Sequence, residues 1–429
     1  MRRKILLLGL SFAMLCISGW QSTAMAAKAD LIAARQKFFG LENVDSKTGD
    51  VDATKVIFAW ITNASLAVSI KGHILLLDTY INRPELSPQF GEVDLRRTPF
   101  NPDDLVTLSP EAIFLGHGHG DHADNAAYIA KQLNIPIYST PETCAVMQAD
   151  VARMAADPNL INGGVKLIKN AKPVTCIEVV TRASVPGSEV TLINQLEPLA
   201  CIVVFKHIHS GSVPNDPTFP FFPVINNSDP RESQIYPTTT SFIPGTTPVA
   251  GQKNLQTTGF GTIPGDAGGP ISLFYQFTLR DDNNFSFVWH NTTGPLKEGV
   301  GSDPGLPSPD VGAKLFAIMD SLPHTAVELG SIVSLGYTTN GVRDAVLYQS
   351  HLLPKVYIPL HMTDVAAISS SLQWKKSYVQ AMSAIDFQNP PDARWMVDPD
   401  DFLKPMVFDP ENPAWFNKEN AKRVRQTCS

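Results

Sequence analysis

Runs of β-branched and apolar residues, separated by short polar breaks, dominate the sequence from residue 55 to residue 207. Residues 55–78 predict a meander of strands, and its last strand ends at the carboxylate of Asp78. Further strands are predicted at 111–115, 135–138, 174–181, 189–193 and 201–207, and helices at 123–133 and 141–156. Strands that alternate with helices in this way indicate an α/β fold.

The pattern changes after residue 209. Pro, Thr, Gly and Asn dominate residues 210–270, and this length without regular structure predicts an irregular insertion, which we interpret as a lid. Strands are then predicted at 271–279, 285–290 and 355–360, and helices at 310–319, 340–350 and 369–382, before a proline-punctuated tail. We expect one domain over residues 27–365, with a C-terminal extension, residues 366–429, packed on its core. No internal repeat is apparent.

The beginning of the chain has the features of a secretory signal peptide, residues 1–26. A basic start, Met1-Arg2-Arg3-Lys4, precedes a single apolar run, and a small-x-small cleavage pattern ends at Ala26. The apolar run is short for a membrane span. We expect cleavage after Ala26 and a periplasmic or secreted protein. An uncleaved anchor is the alternative.

Composition and charge narrow the range of partners. Hydrophobic residues make up 43% of the chain and charged residues 17%, which argues against a disordered chain and against a protein with several membrane spans. The net charge of −7, with no run of Lys and Arg, argues against nucleic-acid binding. We expect a small-molecule substrate and no stable membrane anchor after signal cleavage, and the sequence does not indicate an oligomeric state.

Four cysteines would remain after signal cleavage: Cys144, Cys176, Cys201 and Cys428. An oxidising compartment favours disulfides, and four cysteines allow three complete pairings. Cys176 and Cys201 lie in two strand-like runs and could bridge neighbouring strands. Buried free thiols are the alternative.

Three histidines and an aspartate are crowded into six residues, His117-Gly118-His119-Gly120-Asp121-His122. A predicted apolar strand leads into them and an amphipathic helix leads out. Such a cluster is costly to form unless a cation binds the ring lone pairs. The glycines allow the backbone to turn sharply, so that the four side chains reach neighbouring positions. The motif therefore predicts a metal site.

At these residues the sequence resembles the metallo-β-lactamase superfamily, whose signature is His-x-His-x-Asp-His. The resemblance extends from about Val56 to His361, and it looks most like an exported, bacterial-type member of the lactonase and phosphodiesterase branch. It implies an αββα sandwich with a long irregular insertion and with metals at one edge.

The resemblance also implies the ligands of a first metal. His117 and His119 would bind it together with a histidine near the end of the predicted strand 201–207. His207 and His209 both stand there, and they would face the same way on an extended strand. His209 is preferred because the superfamily's ligand tends to precede a small residue.

A second metal would be bound by Asp121, His122 and His361, again as the resemblance implies. Asp78 would orient a ligand imidazole by accepting its ring N–H.

The sequence departs from the superfamily at the residue that would bridge the two metals. Asn291 stands at this candidate bridging position, where the superfamily has an aspartate. A neutral amide oxygen binds a divalent cation more weakly than a carboxylate does, so two metals are less certain than one. Asp266, inside the predicted insertion, is a second candidate for the bridge.

The function that the resemblance implies is an exported metal-dependent hydrolase. Zinc, as one or two ions, is the expected cofactor, with iron or manganese as alternatives. Zinc lowers the pKa of bound water towards about 7 and so supplies hydroxide at neutral pH, while Asp121 would orient the water and accept its proton. Esters, lactones, amides and phosphodiesters suit this chemistry. A mononuclear iron oxygenase of the same fold and a non-catalytic metal-binding protein are the other hypotheses.

Overall fold

The computed structural model describes residues 27–81, 102–156, 172–182, 184–224, 271–281, 283–299, 309–362, 368–396, 401 and 403–428. Two seven-stranded β-sheets pack face to face, and helices cover both outer faces. The predicted αββα sandwich is confirmed. The predicted signal peptide, residues 225–270 of the predicted insertion, and Asp266 lie outside the described residues.

The first sheet contains strands β1 (Val56–Thr62), β2 (Ser65–Ile70), β3 (His73–Leu77), β4 (Ala112–Phe114), β5 (Ile137–Ser139), β6 (Cys176–Glu178) and β14 (Pro405–Phe408). Their order across the sheet is β14-β1-β2-β3-β4-β5-β6. The ladders from β14 to β3 are antiparallel. Those from β3 to β6 are parallel.

The second sheet contains strands β7 (Val190–Ile193), β8 (Ala200–Ile208), β9 (Ile271–Leu279), β10 (Ser286–His290), β11 (Val327–Ser331), β12 (Val356–Leu360) and β13 (Asp392–Ala393). Their order is β7-β8-β9-β10-β11-β12-β13. The ladders from β7 to β10 are antiparallel, and those from β10 to β13 are parallel.

The inner faces of the two sheets form one apolar core. Phe58 of β1 contacts Phe287 of β10 across the sandwich, with ring centroids 5.0 Å apart. The alternate residues of β1, such as Ile57, point to the opposite face and pack under helices. Because both faces of the sheet are covered, these strands are apolar throughout rather than alternating with polar residues.

The helices divide between the two outer faces. The first sheet is covered by α1 (27–39), α2 (Pro102–Leu108), α3 (Gly120–Ala123), α4 (Ala126–Leu133) and α5 (Pro141–Ala156). The second is covered by α6 (Pro309–Ser321), α7 (Tyr337–Asn340), α8 (Arg343–Leu352), α9 (Ile368–Ala384) and α10 (Asn420–Thr427). Among the described residues, no helix combines the length and apolar character needed to cross a membrane.

Two predicted elements differ from the structure. The single helix predicted over 123–133 is divided into α3 and α4, because Asn125 adopts a left-handed conformation with φ 74° between them. The C-terminal tail is not irregular throughout, since β13 and β14 extend one edge of each sheet. Pro405 is the first residue of the edge strand β14, a position where a missing N–H costs no ladder hydrogen bond.

All four cysteines that follow the predicted signal peptide form disulfides. Cys144 of α5 pairs with Cys176 of β6, and Cys201 of β8 pairs with Cys428, just after α10. The predicted bridge between Cys176 and Cys201 is wrong, because these residues belong to different sheets and pack on opposite outer faces. The alternative of buried free thiols is also wrong.

Candidate metal centre

The motif and its predicted partners meet at one edge of the sandwich. Asp78 follows β3, His117 lies shortly after β4, and His209, Asn291 and His361 directly follow β8, β10 and β12. β3 is parallel to β4, and β10, β11 and β12 are parallel to one another. Because parallel strands end at the same edge of a sheet, segments that are far apart in sequence converge here.

The first group contains His117, His119 and His209, whose candidate ligand atoms all lie within 4.8 Å of one another. The Nε2 atom of His117 is 3.0 Å from Nδ1 of His119. The His209 ring is edge-on to both, with centroid distances of 4.8 and 4.9 Å. His117 and His209 are buried, and His119 is half-buried.

His207 lies outside this group. Its Nδ1 is 2.9 Å from the Tyr348 hydroxyl, on the face of the sheet that α8 covers. β8 ends at Ile208, so His209 is not part of the strand. The expectation that His207 and His209 face the same way is therefore wrong, and it is His209 that lies beside His117 and His119.

The second group contains Asp121, His122 and His361, again with candidate ligand atoms within 4.8 Å of one another. One oxygen of Asp121, Oδ2, is 3.2 Å from Nε2 of His122 and 3.3 Å from Nε2 of His361. The two Nε2 atoms are 3.2 Å apart. The side chain of Asp121 is 25% exposed, so this group is open to solvent.

The two groups adjoin, because the rings of His117 and His122 have centroids only 4.2 Å apart. The site thus consists of two triads side by side, one with three imidazoles and one with two imidazoles and a carboxylate. Both triads lie at the same edge of an αββα sandwich, and four of their six residues come from the loop after β4 and the first turn of α3. The chain has the αββα sandwich fold that the resemblance implied.

No protein-family model matches the chain. It is 30% identical over 109 residues to a UPF0173 metal-dependent hydrolase of Pyrobaculum aerophilum, and the match covers 25% of this chain and 43% of that protein. The chain thus matches less than half the length of this curated relative.

Among solved structures, the chain is similar to Igni18, described as a novel metallo hydrolase, from Ignicoccus hospitalis. The TM-score is 0.44 at 13% identity, over 83% of this chain and 99% of that one. It is also similar to the metallo-β-lactamase fold protein YhfI from Bacillus subtilis, with a TM-score of 0.36 at 11% identity over 83% and 99% of the two chains.

Asp78 lies behind the two triads and is fully buried. Its Oδ2 is 2.8 Å from Nδ1 of His122 and 2.7 Å from the amide nitrogen of Asn291, and its Oδ1 accepts the Gly116 N–H at 3.0 Å. A carboxylate that accepts a ring N–H in this way holds the imidazole in one orientation and raises its basicity.

Asn291 does not occupy a bridging position in the structure. Its Oδ1 lies 3.0 Å from Nδ1 of His117, and its Nδ2 donates to Asp78. The other ring nitrogen of His117, Nε2, is the one that faces His119. Both polar atoms of the amide are therefore engaged behind the ligands, and the expectation of a bridge at Asn291 has to be corrected.

Asn63 is a site residue that the sequence did not reveal. It lies in the tight turn between β1 and β2, fully buried and with φ 51°. Its Nδ2 donates to the Asp121 carbonyl at 2.9 Å and approaches Asp121 Oδ2 at 3.3 Å, and its own carbonyl accepts the His361 N–H. Asn tolerates the left-handed conformation that this turn requires. An Asn in a short turn between two apolar strands was the available signal.

Burial and neighbouring charges give the candidate ligands different protonation states. Burial, together with the other imidazoles, holds the pKa of His117 well below its usual value and lowers the pKa of His209 to about 3. Burial also opposes the charged form of His122, but Asp121 and Asp78 outweigh it and raise the pKa of His122 to about 10. Although burial disfavours the Asp121 carboxylate, His122 and His361 keep its pKa well below the ordinary range.

These residues fit divalent metals. Neutral imidazoles packed with ring nitrogens 3.0 Å apart present lone pairs that a cation can bind. The Nδ1 atoms of His117 and His122 face acceptors on Asn291 and Asp78, and the Nε2 atom of each ring faces the other members of its own triad. The donor set of imidazole and carboxylate suits zinc, iron and manganese.

Proposed function

We propose that this chain is an exported metal-dependent hydrolase that acts on an ester, lactone, amide or phosphodiester bond. The observation that carries the proposal is the pair of adjoining triads, with a partly exposed carboxylate, Asp121, at the edge of the site. A metal at these triads would lower the pKa of a bound water and polarise the bond under attack.

The residues of the chain contribute orientation and proton transfer. The low pKa of Asp121 keeps its carboxylate ionised at neutral pH, so it can accept a hydrogen bond from an attacking water. Asn63 fixes the backbone and carboxylate of Asp121, and Asp78 fixes His122. Water held against Asp121 would therefore have a defined orientation.

Zinc is the metal that we propose first. The His117, His119 and His209 triad has the three-imidazole composition of catalytic zinc sites. The second triad also suits iron and manganese, because it contains two imidazoles and one carboxylate. One or two ions are compatible with this set of ligands, since each triad is complete without a residue shared between them.

An acyl substrate, either an ester or a lactone, is favoured by an exposed apolar residue beside the segment that follows His209. Leu335 is 50% exposed, and its carbonyl accepts from the Ser212 hydroxyl, three residues after His209. An exposed leucine at this edge can contact an apolar acyl chain.

Export is supported by the disulfides. The two cysteine pairs account for every cysteine after the predicted signal peptide, and disulfides persist in oxidising compartments. Mass spectrometry of the protein secreted or recovered from the periplasm should give a mature N-terminus at Ala27 and no free thiol.

Metal analysis combined with a substrate panel tests the proposed activity. The full chain should contain zinc and turn over chromogenic esters or lactones, whereas His119→Ala should lose both first-triad metal and turnover. His73→Ala is the matched control, because His73 is exposed and its ring contacts Glu111, away from both triads. Turnover by the metal-stripped chain at the rate of the loaded chain would refute the proposal.

A mononuclear iron oxygenase is the second candidate. The observation in its favour is the second triad, since two histidines and one carboxylate form the facial set of many non-haem iron enzymes. Iron in the purified protein together with oxygen uptake would support this function. Metal without turnover or oxygen uptake would instead indicate a binding protein.

A further inference from the structure

Three groups converge on the carboxylate of Asp78, and they lead to both triads. His122 of the second triad contacts Asp78 directly, at 2.8 Å. His117 of the first triad is connected to it through Asn291, by contacts of 3.0 and 2.7 Å. The third group is the N–H of Gly116. Asp78 and Asn291 are both fully buried, so water does not compete for these hydrogen bonds.

The direction of the hydrogen bonds that connect Asp78, Asn291 and His117 follows from the carboxylate of Asp78. An ionised carboxylate only accepts, so the amide of Asn291 must turn its NH2 group towards Asp78. Its carbonyl oxygen, which also only accepts, is then left facing Nδ1 of His117. The Nδ1 of His117 must therefore carry the hydrogen, and its Nε2 must carry the lone pair.

We propose that Asp78 fixes the ring orientation of His122 directly and, through the positioning residue Asn291, the ring tautomer of His117. Asp78 needs a hydrogen-bond donor, whereas His117 is presented with an acceptor. Asn291 provides both, because its amide nitrogen donates to Asp78 and its amide oxygen accepts from His117. A second carboxylate at this position could not satisfy both neighbours without a proton. The inference rests on metal binding at the proposed site, but not on hydrolysis.

Gly116 gives independent support for the position of Asn291. A Cβ atom on Gly116 would lie 2.2 Å from Asn291 Nδ2 and 2.4 Å from its Oδ1. A glycine immediately before His117 therefore makes room for this amide. Substitution of Gly116 offers a way to displace Asn291 without changing its chemistry.

Tautomers are measured directly in the metal-stripped full chain labelled with [15N]histidine. Long-range 1H–15N correlation distinguishes Nδ1–H from Nε2–H rings, and loss of one spin system in His117→Gln assigns His117. We expect His117 to carry its hydrogen on Nδ1 in the unsubstituted chain. In Asn291→Leu this preference should be lost, and Gly116→Ala should change it in the same direction.

Zinc affinity is the second measurement. In a His361→Ala background, where only the first triad is complete, competitive chelation should show about a 10- to 100-fold weaker zinc affinity for Asn291→Leu. Asn420→Ala is the matched control. Asn420 is also a buried asparagine, and it accepts the His324 N–H near α10. This control should leave both the His117 tautomer and the zinc affinity unchanged.

Asn291→Asp separates the proposal from the bridging alternative. An aspartate still offers an acceptor to His117, so the Nδ1–H tautomer should persist without tighter metal binding. The proposal is overturned if Asn291→Leu keeps the Nδ1–H tautomer and a zinc affinity within about twofold of the parent. It is also overturned if Asn291→Asp binds an additional ion tightly. Because the tautomer is read without metal or substrate, a failure here is distinct from a failure to find hydrolysis.

Discussion

The two sheets repeat one topology. In β1 to β6 the first two ladders are antiparallel and the next three are parallel, and β8 to β13 show the same succession. Strand β3 thus corresponds to β10. The residue after β3 is Asp78 and the residue after β10 is Asn291, and these two corresponding side chains are hydrogen-bonded to each other at 2.7 Å.

The difference between Asp78 and Asn291 shows how one site is divided between the two halves of the sandwich, each of which contains one sheet. Two ionised carboxylates in contact at a fully buried position would repel each other strongly. The first half therefore provides the charge, and the second provides a neutral amide that complements it. The first half also supplies four of the six candidate ligands in one loop, whereas the second supplies His209 and His361 singly, after separate strands.

The largest effect that tests this comparison concerns the disulfides, because each half has one on its outer face. The Cys144–Cys176 pair spans 32 residues and the Cys201–Cys428 pair spans 227. Loop-closure entropy predicts stabilisation of about 4 and about 5 kcal/mol, respectively. Denaturant unfolding of the two Cys→Ala double variants should therefore show a greater loss of stability for the second half. The reverse order would contradict this entropic account.

The next effect concerns an ion cluster that only the second half has among the described residues. Arg343 is fully buried in α8 and contacts Asp216 at 3.2 Å, Asp344 at 2.8 Å and Glu298 at 2.7 Å. This cluster anchors the segment that follows His209. Arg343→Met should lower the free energy of unfolding by about 3–5 kcal/mol, because it leaves buried carboxylates without their cation.

Lys297 provides the control for this prediction. It contacts the same carboxylate, Asp216, at 2.7 Å, but its side chain is 46% exposed. Lys297→Met should cost less than about 1 kcal/mol in chemical denaturation. Equal losses for the two variants would show that burial of Arg343 does not decide the contribution of the cluster.

A smaller effect is expected on zinc affinity, and it should differ between substitutions of Asp78 and of Asn291. Asp78→Ala removes the acceptor that serves His122 and Asn291, so zinc affinity should fall about 10- to 100-fold at both triads. Asn291→Leu should weaken only the first triad. Zinc titration in His361→Ala and His209→Ala backgrounds reads the two triads separately. If Asp78→Ala lowered the zinc affinity of the second triad alone, Asn291 would not connect Asp78 to the first triad.

The sequence revealed the parts of the site that are local. The four candidate ligands His117, His119, Asp121 and His122 lie within six consecutive residues, and Asp78 and His361 directly follow strands with clear apolar patterns. The orientation of Asn291 depends on a partner 213 residues away, which no local pattern encodes. The repeat between the halves was missed for a similar reason, because it lies in backbone pairing and not in residue identity.

Short edge strands and disulfide partners were also beyond the sequence. β13 contains two residues and β14 begins with proline, so their hydrogen bonds depend on the neighbouring strands rather than on their own composition. Cys201 and Cys428 are 227 residues apart and meet only after α10 packs against the second sheet. Sequence separation of this size conceals contacts, whereas the strand-terminal position of a ligand is visible from the sequence.

The smallest predicted difference between the triads is a single proton. At pH 8 His209, whose pKa is lowered to about 3, is neutral, and so is His117. Asp121 and Asp78 raise the pKa of His122 to about 10 against the effect of burial, so His122 is protonated at the same pH. A protonated ring has to lose its proton before it binds a metal. Zinc binding should thus release about one proton at the second triad and about none from the first.

Calorimetry in two buffers of different ionisation enthalpy measures this release, with the His209→Ala and His361→Ala variants isolating the second and first triads. Zinc affinity of the second triad should rise about tenfold per pH unit up to about pH 10, above which His122 is neutral before the metal binds, while the first triad should show no such slope. Equal proton release at both would mean that the two carboxylates beside His122 do not hold a proton there. The contrast between the charged Asp78 of the first half and the neutral Asn291 of the second would then concern hydrogen-bond geometry alone.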